Sequence, residues 1–510
     1  MTKQADIYAG YITQSLGLSN PTMLLLLLHL VLLVVVLRRL YFAPASNFPG
    51  PFWAKVSMLY EVYHVFFRDD WYDNLISLHE NYGPVVRIGP NEVHISDPEF
   101  CHNFHRRSDL RKCPEYYGLI GTALGGLAEP QDHLKRKALL QPFFTGKPPG
   151  AVLYGGDEHP IGGALHRLIS EESSRSGGDT NMTLILWALT NDIMMSYIFG
   201  ESPGYLAELD LADLPNATRA YGAIDFSTIA RSVPLAIRLY NSFPFLRRLS
   251  FFGWIDKLID SHISHTTKPS QAEKDDDSVF MCLLSQVDGD RKLTTHEIAQ
   301  AIFIGNESLL SNLSFLLYYM IENPHCVQAL RAELDTLDTR TYGHQIWRDP
   351  KVSQLPYLDA LCRESTRLSP PRWHRQPRQS TEPVPFKTGV IPKGVSISFT
   401  LRMLERDETL FRNPEAFLPE RWLGGGQEAQ TLRQNSITFG TGTRTCLGQS
   451  FARQVLKKTL VCILYEFDVS LVDPDKDKNE GLRYLCTYPS KGKAGDMKVR
   501  VARRFIASEQ

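Results

Sequence analysis

The sequence predicts a mainly α-helical fold with a small β domain, preceded by one N-terminal transmembrane helix. Three observations carry this expectation. The apolar run from Met23 to Leu37, broken only by His29, is followed directly by Arg38 and Arg39. Several stretches repeat apolar residues at helical spacing, the longest from Thr294 to Asn323. Few segments alternate like strands, Val85 to Pro90 and Glu92 to Ser96 most clearly. Two strands cannot stand alone, so they imply a small sheet beside a helical bulk.

The bulk numbers set limits. A chain of 510 residues is ample for one large core or two ordinary domains. A net charge of -1 gives no global field to attract nucleic acid or an acidic partner. Eight cysteines are scattered at 101, 113, 282, 326, 362, 446, 462 and 486. In so long a chain this is no disulfide framework, and reduced thiols facing the cytosol are the simpler reading.

In order, residues 1–22 form a short lumenal segment and residues 23–42 a transmembrane anchor, with Leu40, Tyr41 and Phe42 extending the apolar run. The basic residues lie after the run, which by the positive-inside rule leaves the rest of the chain cytosolic. A cleaved signal peptide is the alternative, but the segment before the run carries only Lys3 and Asp6. Residues 43–52 read as a proline-rich hinge, since Phe48-Pro49-Gly50-Pro51 cannot be helix. Residues 53–510 follow as the cytosolic domain. The sequons at Asn181, Asn216, Asn306 and Asn312 then lie on the wrong side for glycosylation.

Within that domain a helix is expected from Asp69 to Asn81, and a glycine-rich loop from Tyr116 to Leu127. A basic helix opens at Asp132, with His133 and Lys137 on one face. Asp192 to Gly200 and Phe226 to Trp254 look helical, the latter broken at Pro234 and Pro244, and Ser261 to Ser278 reads as a surface loop. Thr294 and Glu297 form a capping box that opens the long helix. In its middle, Ile304-Gly305-Asn306-Glu307-Ser308 places glycine, acid and hydroxyl where propensity and burial disfavour them. A helix from Leu358 to Leu368 carries Glu364 and Arg367 on one face, and Pro419-Glu420-Arg421-Trp422 follows some fifty residues later. Ile391 to Gly394 reads as a turn before a strand from Val395 to Phe399, and Tyr484 to Tyr488 as part of a hairpin.

The stretch that organises the rest is Phe439-Gly440-Thr441-Gly442-Thr443-Arg444-Thr445-Cys446-Leu447-Gly448. Glycines let the backbone turn tightly and let a flat ligand come close. Cys446 has no second cysteine two residues away, so it is not half of a zinc or redox pair. Arg444 puts a positive charge near the sulfur, and the helical pattern after it directs backbone N–H groups there, surroundings that favour a thiolate. A lone thiolate on such a loop suits haem iron as a proximal ligand; an inert buried cysteine is the bland alternative.

The loop resembles the haem-binding loop of the cytochrome P-450 family at every anchor position. Three further motifs stand in the family's order: Gly305 with Glu307 and Ser308, the E-x-x-R of Glu364 and Arg367, and the P-E-R-W around Arg421. The resemblance covers nearly everything from Phe48 onward. It implies a eukaryotic microsomal, fungal haem-thiolate monooxygenase that inserts one atom of O₂ into a lipophilic small molecule in secondary-metabolite biosynthesis. It implies haem b held by Cys446, with Phe439, Arg444, Arg378, His133 and Lys137 as further haem contacts, lysine standing where arginine is commoner. Gly305, Glu307 and Ser308 are the implied catalytic residues, the last replacing threonine. Glu364, Arg367 and Arg421 are the implied structural triad. Glu405 stands where the family commonly has histidine. Electrons are expected from NADPH through a flavoprotein reductase, with the chain in the endoplasmic reticulum membrane. A haem-thiolate isomerase, dehydratase or peroxygenase needing no reductase, and a non-catalytic membrane haem sensor, are the alternative functions.

Overall fold

The computed structural model describes residues 21–68, 70–117, 123–145, 160–174, 179–200, 202, 204–207, 283, 291–337, 342–369, 375–387, 389–474 and 497–504. The expectations for Phe226 to Trp254, Ser261 to Ser278 and Tyr484 to Tyr488 lie outside these residues.

Helix α1 (Pro21–Leu37) continues as a π-helical turn, Arg38–Phe42, and buries none of its residues. After a short helix, α2 (Phe52–Val56), the chain enters a body in which helices outweigh sheet. Its centre is α5 (Arg291–Glu322), 32 residues and roughly 48 Å long at 1.5 Å per residue. Around it pack α4 (Met182–Phe199), α6 (Pro356–Leu368) and α7 (Gln449–Leu464). A fifth helix that matters here is the basic α3 (Pro130–Thr145).

Helix α4 begins ten residues before the expected start at Asp192. All its residues except the half-buried Leu184 are buried, so no polar face gives it a period to read. Asn181 caps it, its side chain accepting from the Leu184 N–H, and Gly200 closes it at φ 82°. The expected cap at Thr294 is corrected: α5 begins at Arg291, which puts Thr294 inside the helix. Glu297 serves elsewhere. Its carboxylate pairs with Arg136 at 2.6 Å and accepts from the Leu124 N–H at 3.0 Å, tying the loop before α3 to α5. A tertiary contact has claimed the residue that would have completed the capping box.

The larger sheet has five strands in the order β1-β2-β8-β5-β3: β1 (Val85–Gly89), β2 (Glu92–Ile95), β8 (Ser396–Ser398), β5 (Arg378–Ser380) and β3 (Leu110–Lys112). Among the described strands, β2 and β8 alone pair in parallel. Strands nearly 300 residues apart in sequence are thus neighbours, and one pairing matters below. The β3–β5 register sets Lys112 directly opposite Arg378. Smaller sheets join β4 (Thr180–Asn181), β10 (Lys498–Arg503) and β9 (Phe467–Leu471), and pair β6 (Val384–Phe386) with β7 (Gly389–Ile391). The sequons at Asn306 and Asn312 fall on buried residues of α5, which closes them to glycosylation on either side of a membrane.

Candidate functional site

The cysteine loop runs from the end of the helix Gln427–Asn435 to the start of α7. Gly440 and Gly442 have φ of 73° and 67°, the left-handed region where side chains are strained. A Cβ on Gly442 would also lie 3.0 Å from the His105 carbonyl oxygen. These turns carry the loop back on itself, so that the Cys446 N–H donates to the Phe439 carbonyl at 2.8 Å. The Phe439 ring lies under the Arg453 guanidinium, 5.5 Å from its centroid.

Cys446 is the one described cysteine with exposed surface. Even so, desolvation raises its thiol pKa; the Gly448 backbone N–H and the Lys137 ammonium lower it in part. The sulfur therefore faces a recess inside the fold and not bulk water. Two expectations change here. The cation beside the sulfur is Lys137, whereas Arg444 turns away and donates to the carbonyls of Leu127 and Ala128, both at 2.8 Å. The protein alone also favours the thiol, so a thiolate at 446 needs a further positive charge, which a metal ion supplies. Lys137 fixes the loop as well, donating to the Thr443 carbonyl at 2.9 Å and the Thr445 carbonyl at 3.4 Å.

Beside this loop the structure gathers cations that no carboxylate pairs with directly among the described residues, although Glu129 lies near enough to Arg444 to offset part of its repulsion. Arg378 and Lys112 are cross-strand partners, and both are buried. Like charges so placed repel. Arg378 donates to the Tyr117 hydroxyl at 2.6 Å, and Lys112 to the Gly125 carbonyl. Arg444 and the buried His133 complete the group. Burial first, and then cationic neighbours, depress Lys112, Arg444 and His133. His133 is pushed down to about 3 by burial and by Arg444, Lys112, Lys137 and Arg378. Arg444 is pushed down to about 10 by burial and Arg378. Lys112 falls well below its usual value through burial, Arg378 and Arg444. Among the described residues none of these groups has an ion-pair partner. Such a set fits a ligand bearing two carboxylates beside a thiolate-bound metal, which is the chemistry of haem b and its propionates.

The second cluster is complete in itself. Glu364 and Arg367 are fully buried on α6. The Glu364 Oε1 accepts from Arg367 at 2.8 Å, Arg421 at 3.1 Å and the Leu418 N–H at 3.0 Å. Its Oε2 accepts from Arg367 at 3.0 Å and from the Trp422 indole at 2.8 Å. Arg367 also donates to the carbonyls of Glu405 and Pro414 at 2.6 and 2.8 Å.

Glu307 is buried and Ser308 half-buried on α5, which packs against α7 just beyond the cysteine loop. The Ser308 carbonyl takes an extra bond from the Asn312 side chain at 2.8 Å. Gly305 has a duty that sequence reasoning missed. A Cβ there would sit 2.8 Å from the Met194 methyl, so its bareness lets α4 seat on α5. Lys112, Tyr117 and Trp422 were also missed as partners. Trp422 was visible in its motif, but nothing local marks Lys112, because only the sheet register brings it to Arg378. A groove of about 560 Å³ beside Asp97, Lys387, Glu405 and Asp407 lies apart and contains none of the candidate residues.

Comparison with known proteins agrees with this geometry. The chain is 29% identical over 483 residues to the cytochrome P450 monooxygenase aneF of Aspergillus aculeatus, covering 90% of this chain and 95% of that one. It is 27% identical over 441 residues to the monooxygenase BOT1 of Botryotinia fuckeliana, covering 82% and 84%. It is 28% identical over 495 residues to the tryptophan 6-hydroxylase fscE of Fusarium equiseti, covering 91% and 95%. The cytochrome P450 family model matches residues 49–493. The chain therefore belongs to the cytochrome P450 family, as a haem-thiolate monooxygenase that uses haem b and draws electrons from NADPH through a reductase.

Proposed function

We propose that this chain hydroxylates or otherwise oxygenates a lipophilic small molecule in fungal secondary metabolism, from an anchored position on the endoplasmic reticulum. Its relatives include fungal monooxygenases of several species, which supports that setting. Residues 23–42 span the membrane once, residues 1–22 lie in the lumen, and residues 43–52 lead to a cytosolic catalytic domain over 53–510. The exposed apolar helix that ends in Arg38 and Arg39 supports this arrangement. The redox partner is an NADPH-dependent flavoprotein reductase.

In this reading Cys446 ligates the iron, and Phe439 shapes the loop that presents it. Arg444, Arg378 and His133 hold the propionates, and Lys137 holds the loop through its carbonyls. Haem, when bound there, supplies reductive activation of O₂. The chain's own residues do the rest. Glu307 and Ser308 move protons into the recess from α5, since a serine hydroxyl both donates and accepts. Burial of Glu307 keeps bulk water from short-circuiting that path. Gly305 sets the closeness of α4 to α5 and, through it, the position of Glu307.

The observation that carries the proposal is the gathering of unpaired buried cations around the cysteine loop. The test is spectroscopic. Reduced, carbon-monoxide-treated protein should show the Soret band of a thiolate ligand, and Cys446→His should abolish it. An unchanged band in that variant refutes the ligand assignment. With reductase, NADPH and O₂, Glu307→Ala should lose at least tenfold in product formation while keeping the parental spectrum.

A further inference from the structure

We infer that Asn312 is a positioning residue for Ser308. It pins the turn of α5 that follows the serine and so keeps the serine hydroxyl turned to the recess, a task that threonine would do with its own methyl group. This rests on the reading of Ser308 as a proton carrier.

The first observation is how differently the polar residues of this turn are used. Ser308, Ser311, Asn312 and Ser314 follow one another on α5. Ser311 and Ser314 are buried, and among the described residues nothing bonds their hydroxyls. Asn312 is buried too, but its amide is engaged: Nδ2 donates to the Ser308 carbonyl at 2.8 Å. That oxygen lies four residues back, where it also receives the helix's own bond from the Asn312 N–H. Both of its lone pairs are thus filled by one residue. On the other side, the Ser369 hydroxyl at the end of α6 lies 3.4 Å from Asn312 Oδ1. Ser369 is itself fixed: its hydroxyl reaches the Ser365 carbonyl at 2.6 Å, and its N–H donates to the same oxygen at 2.8 Å. The amide is therefore set between the carbonyl of Ser308 and a helix packed against α5.

The second observation is that Ser308 has no hold of its own. It is half-buried, and no hydrogen bond among the described residues engages its hydroxyl. Threonine carries two heavy atoms on Cβ, which restrict χ1, and serine carries one. In a helix an unheld serine hydroxyl can fold back onto the carbonyl four residues earlier, here that of Ile304, and its proton is then lost to the recess. Which χ1 wells stay open depends on the backbone angles of the residue. Asn312 acts on those angles. By filling the Ser308 carbonyl it fixes the peptide plane on the C-terminal side of the serine, and with it ψ of Ser308. Without the amide only the helix bond remains, the plane rocks, and the folded-back setting opens.

Infrared spectra of the haem-loaded protein, reduced and treated with carbon monoxide, test this without turnover. The C–O stretch follows the polarity of the groups beside the gas, so each setting of the Ser308 hydroxyl gives its own band. The parent should show one narrow band; several bands in the parent overturn the inference at once. Asn312→Leu keeps the bulk of the side chain and removes both polar atoms, and it should split the band or at least double its width. Adding Ser308→Thr to that variant should restore one narrow band. A band that stays narrow in Asn312→Leu, while Ser308→Ala shifts it, overturns this inference and leaves the serine in its role. A band broadened alike with and without Ser308→Thr also overturns it, since α5 as a whole would then have loosened. Ser308→Ala with the parental band overturns the reading of Ser308 itself. If Asn312→Leu fails to load haem, Asn312→Ala, which crowds nothing, is read in the same way.

Discussion

Two clusters of buried charge in this molecule obey opposite rules. Around Glu364 every carboxylate lone pair is used: two arginines, an indole and a backbone N–H converge on it. Around Arg378 cations predominate with no carboxylate paired to them among the described residues, and Arg378, Arg444, Lys112 and Lys137 depress their neighbours. The first cluster is finished by the chain itself and serves the fold. The second is left open by the chain and serves a ligand. The contrast teaches how to tell a structural charge cluster from a binding one: by whether the polypeptide has supplied the counter-charge.

The largest expected effect lies in the closed cluster. Glu364→Ala strands two buried arginines and should cost roughly 3–5 kcal/mol, read from the urea midpoint of the haem-loaded protein. A midpoint near the parent's would erase the distinction. Arg378→Met should act with opposite signs in the two states. Removing one of several repelling cations should stabilise the haem-free chain. The same change should weaken haem retention about 10–100-fold, the value of one charge-assisted hydrogen bond. Transfer of haem to a scavenger protein measures it, and destabilisation of both states would make the open cluster structural after all.

The pH dependence sharpens the contrast. His133 is held neutral, its pKa lowered from 6.5 to about 3 by burial and surrounding cations. The unfolded chain binds this proton first, so the haem-free protein should lose stability as pH falls from about 6.5 toward 3. His133→Phe should flatten that slope, and so should bound haem, whose carboxylates favour the protonated ring. The smallest effect is expected at Glu405, buried under Arg367 and accepting from the Ile437 N–H at 2.8 Å. Burial pushes its pKa up from 4.5 to about 7. Its contribution is present below 4.5 and lost as pH rises through 7, the reverse of His133. Glu405→Gln should therefore be a little more stable than the parent above pH 7 in thermal melts.

The sequence by itself determined the cysteine loop, because left-handed turns demand Gly440 and Gly442 wherever the loop sits. It determined the long helix through its apolar content, and the partnership of Glu364 with Arg367, since residues three apart share a helical face. Its motif order also pointed to the family. What only the tertiary structure decided is anything that needs two distant segments at once. The strand register alone sets Lys112 against Arg378, and the packing of α4 explains the bareness of Gly305. Glu297 leaves its capping role for Arg136 because a side chain's partners are set by what folds beside it. Local pattern fixes the conformation a segment can take, whereas the charge a residue feels depends on neighbours that the chain brings from hundreds of positions away.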